Sequence, residues 1–177
     1  MNPLRIGLLG VRAGQPYLEA IRQRDDLVVV ALCDRETDPL AAAARAYAVD
    51  LAVTSDQRLW CSKLDAVLIA GPERLHRKHI MGALEAGAHV FCVGPLAGFG
   101  SDASRLVAQA EGYPNQRVMV GQPLRFHPLF AAISQLLASG QLGEIYAVRV
   151  SQWAAAEAWP GDDPTRAEAA GGTPPLL

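Results

Sequence analysis

Two runs of residues restrict this chain to few architectures. Leu27–Cys33 reads LVVVALC, and Leu64–Ala70 reads LDAVLIA. A strand packed on one face alternates apolar and polar residues. A continuous apolar run of this length belongs to a strand covered on both faces, as in a parallel sheet flanked by helices. Other strand-like segments surround these two: Leu4–Leu9, Leu51–Thr54, His89–Cys92 and Arg117–Gly121. Helical patterns lie between them, over Gln15–Gln23, Pro39–Tyr47 and Glu73–Ala86. Gly87 stands at the position after the last of these helices that favours glycine. Ser101 is placed to cap a further helix ending near Gly112. The βαβα order predicts an α/β fold with a doubly wound parallel sheet.

After the sixth strand the pattern changes. His127 and Pro128 open a helix carrying Leu129, Ile133, Leu136 and Leu137, closed by Gly140. Glu144–Trp153 (EIYAVRVSQW) reads as one long strand. The segment beyond it, rich in Ala, Pro and Gly, has no period and reads as irregular. The expected organisation is a sheet domain over residues 1–122, a helix and strand over 123–153, and a tail over 154–177.

The formal net charge is -2, which gives no electrostatic footprint for nucleic acid. No apolar run is long enough to span a membrane, and the run in MNPLRIGLLG is too short for a signal peptide. The three cysteines, Cys33, Cys61 and Cys92, are read as buried reduced thiols of a cytoplasmic protein.

The chemistry-bearing residues gather at the ends of the strands. The first strand runs into GLLGVRAGQP. A dinucleotide fingerprint, G-x-G-x-x-G, uses its glycines for a tight turn, a bare backbone beside the pyrophosphate, and close packing of helix on strand. Gly10 and Gly14 stand as the first and third. The middle glycine is absent, the loop is one residue short, and Arg12 lies where bare backbone is required. Arg12 either supplies charge to a pyrophosphate or fills the anion site itself. Asp34 ends the second strand, where a carboxylate accepts hydrogen bonds from a ribose diol and repels a 2′-phosphate. Arg35 beside it acts in the opposite sense, and a solvated Asp-Arg turn is the plainer reading. His76 and His79 share a helix face, but Arg77 and Lys78 oppose a cation there, so no metal is expected. Cys92 at a strand end reads as an inert buried thiol.

Taken together, LRIGLLG, VVALCDRETDP, LDAVLIAGPERLHRKHIMGALEAGAHVFCVGPLA, VMVGQPLRFHP and SGQLGEIYAVRV resemble the Gfo/Idh/MocA family of NAD(P)-dependent oxidoreductases. The resemblance implies an N-terminal Rossmann domain, then an α/β domain with an open sheet that binds substrate and often forms the oligomer interface. It also implies that Asp34 is the ribose-binding acid. AGPERLH matches a segment that is usually Ala-Thr-Pro-x-x-x-His, with Pro72 and His76 in place and Gly71 instead of the hydroxyl residue. CVGPLA matches a Glu-Lys-Pro segment, in which Pro95 agrees but Val93 replaces the acid and Gly94 the lysine. That lysine normally stands beside nicotinamide and substrate and stabilises charge as hydride moves. AGGTPPLL looks like the approach to the family's Asp-x-x-x-His segment, which the sequence does not reach.

The leading expectation is a catalytically impaired nucleotide-binding or accessory module with no catalytic residue of its own, binding NAD or NADP weakly at best. The alternatives are an active oxidoreductase of sugars or related small molecules completed by a partner subunit, a structural or regulatory interaction protein, and a truncated gene product. The long strand, Glu144–Trp153, is expected to pair with a second copy or a full-length relative.

Overall fold

The computed structural model describes residues 2–151. Trp153 and the tail expected over 154–177 lie outside the described residues.

The sheet contains β1 (Leu4–Leu9), β2 (Leu27–Cys33), β3 (Leu51–Val53), β4 (Ala66–Ile69), β5 (His89–Val93) and β6 (Val118–Gly121). All neighbouring pairs are parallel, in the order β3-β2-β1-β4-β5-β6. Helices α1 (Val11–Arg22), α2 (Thr37–Ala46), α3 (Asp56–Trp60), α4 (His76–Glu85) and α5 (Gly100–Ala110) connect the strands. This is a doubly wound Rossmann-type α/β fold. The chain leaves β1 toward β2 and leaves β4 toward β5, in opposite directions across the sheet. The strand ends between them therefore form a crevice, the usual ligand position in such sheets.

The apolar runs are continuous because successive residues feed two cores. Leu8, Leu32 and Leu68 pack in one core with Leu18 of α1 and Leu40 of α2. Their neighbours Leu9, Cys33 and Ile69 pack in the other with Leu59 of α3, Ile80 and Leu84 of α4, and Leu106 of α5. Leu8, Leu18, Leu32, Leu59, Ile69 and Ile80 are fully buried. Truncating such a leucine to alanine typically costs about 2–5 kcal/mol.

Several element boundaries differ from the sequence reading. Helix α1 begins at Val11, well before Gln15. The helix expected from Glu73 opens as a 3-10 turn, Glu73–Leu75, before α4. Helix α3 was not expected, since five residues are too few to show a period. Ser101 does not cap α5: Phe99 occupies that position, with no side-chain cap bond. Gly87 has the expected left-handed conformation, φ 83°.

The chain divides into two units, Met1–Gly121 and Gln122–Leu177. The described part of the second contains a 3-10 turn, Pro123–Phe126, and helix α6 (Pro128–Ala138). His127 caps α6 by accepting a hydrogen bond at Nδ1 from the Leu129 amide. The strand expected over Glu144–Trp153 is absent from its described part, since residues 144–151 carry no strand assignment. A strand exists only through a ladder to a neighbour, and the described residues supply none here.

Candidate functional site

The crevice begins where β1 ends. Gly10 takes φ 92°, and α1 starts at the next residue. A Cβ on Gly10 would lie 2.6 Å from the Ala70 carbonyl carbon and the Gly71 nitrogen, both backbone atoms leading out of β4. Only glycine suits both this conformation and this approach. Gly14 serves the packing of helix on strand, since a Cβ there would meet Leu8 Cδ1 at 2.8 Å. Val11 is buried and Arg12 exposed, so the short loop is taken up by extending the helix to Gly10.

The amides of the first helical turn have no acceptor inside the helix. One finds it in Asp34: the Val11 amide donates to Asp34 Oδ2 at 2.7 Å. The Glu36 amide donates to the other oxygen, Oδ1, at 3.0 Å. Asp34 therefore ties the end of β2 to the start of α1. Arg12 is the second residue of α1, and its side chain is paired. Its Nη2 donates to Glu36 Oε2 at 2.8 Å, in a pair whose side chains are 76% and 60% exposed. Arg35 is exposed. Glu36 was missed by the sequence reading. The available signal was an acid two residues after Asp34, where a side-chain carboxylate commonly bonds the backbone amide.

Across the crevice, the Gly71–Pro72 segment follows β4 and the Gly94–Pro95 segment follows β5. His76 joins them. Its ring is buried, with Nδ1 2.9 Å from the Pro95 carbonyl oxygen and Nε2 2.9 Å from the Gly71 carbonyl oxygen. Both partners are acceptors, so each contact is a hydrogen bond only where that ring nitrogen carries a proton. The Gly94–Pro95 peptide is cis, and the Gly94 amide donates to the Gly121 carbonyl at 3.2 Å. Val93 and Gly94 bring no ionisable side chain to this end of β5.

The nearby thiols are not nucleophiles. Burial pushes Cys92 up to about 12 and, with Asp56 and Asp34 adding to it, Cys33 up to about 11. Both are buried, as expected, whereas Cys61 is exposed; it follows α3 at a helix end rather than ending a core strand. All three are free. Burial pushes His79 down to about 4, against the opposing pull of Asp56, so the ring is neutral near pH ~7. Its Nε2 is 3.8 Å from Asp56 Oδ2, while its buried Nδ1 has no partner among the described residues. Asp56 is held below the usual carboxylate range chiefly by its hydrogen bond from Lys78 at 2.6 Å. Among the described residues no three His, Cys, Asp or Glu are grouped to hold a metal.

These residues fit a dinucleotide. The Arg12 and Ala13 amides stand at the positive end of α1, the usual seat of a pyrophosphate. Asp34 accepts one protein bond at each oxygen and retains lone pairs for ribose hydroxyls. A bound nicotinamide dinucleotide would supply the hydride chemistry.

Residues 4–122 match a family model described as the GFO_IDH_MocA oxidoreductase family, NAD-binding Rossmann fold. The chain belongs to the Gfo/Idh/MocA family. It is 31% identical over 152 residues to Uncharacterized oxidoreductase ORF334 of Rhizobium meliloti, covering 84% of this chain and 45% of that protein. It is 33% identical over 155 residues to the D-glucoside 3-dehydrogenase of Escherichia coli K12, covering 82% of this chain and 42% of that one. Among solved structures, it resembles the WlbA dehydrogenase from Bordetella pertussis in complex with NADH and UDP-GlcNAcA. That match has a TM-score of 0.76 and 26% identity, over 82% of this chain and 45% of the other. The chain thus spans less than half the length of these Gfo/Idh/MocA relatives.

Proposed function

We propose that the Rossmann unit binds a nicotinamide dinucleotide weakly, NAD more tightly than NADP, and that the crevice residues of this chain do not by themselves support hydride transfer. The observation that carries this reading is the end of β5. Val93 and Gly94 stand where the family pattern has an acid and a lysine, and Gly94 offers a substrate oxygen only backbone. His76, the nearby imidazole, faces two backbone carbonyls, and Cys92 is held as a thiol. At the end of β5 itself, Val93, Gly94 and Pro95 therefore carry no side chain that donates or accepts the proton that accompanies hydride movement. The NAD preference rests on Asp34, whose carboxylate would oppose a 2′-phosphate.

The test is a hydride-transfer assay of the chain with NAD and NADP against a panel of sugars, inositols and aldoses. The expected result is no turnover above a heat-killed control. Gly94→Lys alone is not expected to create it, since catalytic groups act as a unit. Turnover by the unmodified chain would overturn the impairment.

A second reading is favoured by the relatives, which include the D-glucoside 3-dehydrogenase. In it, this chain is an active sugar oxidoreductase whose site is completed by a partner subunit. Activity appearing only on adding such a subunit would support it. We propose that residues 144–151 form the contact with a second copy or a full-length relative. Ile145, Tyr146, Val148 and Val150 are exposed there, apolar surface that a second chain would cover. Three free cysteines suit a reducing compartment, and we place the protein in the cytoplasm. No described helix is long and apolar enough to cross a membrane.

A further inference from the structure

The Arg12–Glu36 pair stands on the ribose side of the crevice, and the residues that hold it there explain its position. Asp34 Oδ1 accepts from the Glu36 amide, which fixes the backbone of Glu36 at the end of β2. Asp34 Oδ2 accepts from the Val11 amide, which fixes the start of α1 and with it Arg12. Between these anchored backbones the Arg12 guanidinium reaches the Glu36 carboxylate at 2.8 Å. One carboxylate, Asp34, thus anchors the backbone on both sides of the ion pair.

We propose that Glu36 is a specificity-determining residue of this crevice: it holds Arg12 in a self-neutralising pair and so withholds the Arg12 cation, though not that of Arg35, from a 2′-phosphate. The inference rests on the dinucleotide reading of the crevice. Two guanidiniums stand near Asp34: Arg35, which follows it and is exposed, and Arg12, which the pair with Glu36 holds; a guanidinium freed there is a group that would recognise a phosphate monoester. With Glu36 present, a 2′-phosphate must break the pair and then face two carboxylates. An unmodified ribose diol needs neither step, because it addresses Asp34 alone. The pair is exposed, so it contributes little to stability, and removing either partner leaves the fold intact.

The test is calorimetric titration of four proteins with NAD and NADP: the unmodified chain, Glu36→Gln, Arg12→Gln and the double variant. Glu36→Gln removes a like charge near the phosphate and frees Arg12, so NADP affinity should rise about tenfold, while NAD affinity changes by less than about threefold. The double variant has lost the like charge but has no Arg12 guanidinium to offer, so it should bind NADP several-fold (about threefold or more) more weakly than Glu36→Gln alone. An unchanged NADP-to-NAD ratio in Glu36→Gln would overturn the proposal. So would a double variant that binds NADP as tightly as Glu36→Gln. If all four proteins bind NAD and only these ratios fail, the specificity role falls and the dinucleotide crevice stands. If none binds either nucleotide, both fall together.

Discussion

A Cβ placed on Gly71 would meet Leu9 Cδ2 at 3.2 Å and the His79 ring, at Nδ1 and Cε1, at 4.0 Å. The unpartnered His79 Nδ1 therefore looks toward the place where the family pattern carries a hydroxyl residue. Gly71→Ser brings a hydroxyl within reach of that nitrogen and should raise stability by about 1 kcal/mol, read as a higher denaturation midpoint. A lower midpoint would mean that Leu9 does not yield. The same histidine makes stability depend on pH. Its folded pKa of about 4 lies below the ordinary histidine value of 6.5, so the unfolded chain binds more protons between those values. The stability it contributes is complete above 6.5 and is lost as pH falls toward 4. Between about pH 7 and about pH 5 this group alone should remove about 2 kcal/mol, measured by urea denaturation. His79→Leu should flatten that dependence. An equally steep fall in the variant would assign the loss to the carboxylates instead.

At the scale of elements, the junction of β1 and α1 decides the site. Gly10→Ala puts a Cβ against the backbone leaving β4 at φ 92°, and should destabilise by about 3 kcal/mol, with loss of any nucleotide binding. Near-normal stability would show that the turn can relax. The sequence makes the sheet plain, because LVVVALC and its neighbours need two covered faces and only one arrangement supplies them. It hides the start of α1, because GVRAG has the composition of a loop. What makes these residues helical is non-local: Val11 enters the core, and Asp34, far along the chain, takes its amide. The places of Gly10 and Asp34 at the ends of β1 and β2 were legible. The pairing of Glu36 with Arg12 was not, since it appears only when β2 and α1 are brought together. His76 was legible by its match, but its bridge from Gly71 to Pro95 was not. The reading of Glu144–Trp153 shows the converse limit, since alternation of apolar residues gives a strand's face but not its neighbour.

For the whole molecule, assembly and binding are separable. If residues 144–151 are an interface, light scattering should give a dimer for the full chain and a monomer for a chain ending at Gly140. A monomeric full chain at tens of micromolar would remove the interface. The central claim is that a family crevice with a shortened phosphate loop still takes a dinucleotide, and the most direct measurement is calorimetric titration of the full chain with NAD. One missing charge-assisted contact reduces affinity about tenfold to a hundredfold from the low micromolar range, so the account predicts a Kd on the order of 100 µM, with NADP weaker. Saturation in the low micromolar range would show that the shortened loop costs nothing, and absence of binding at millimolar NAD would contradict the account outright.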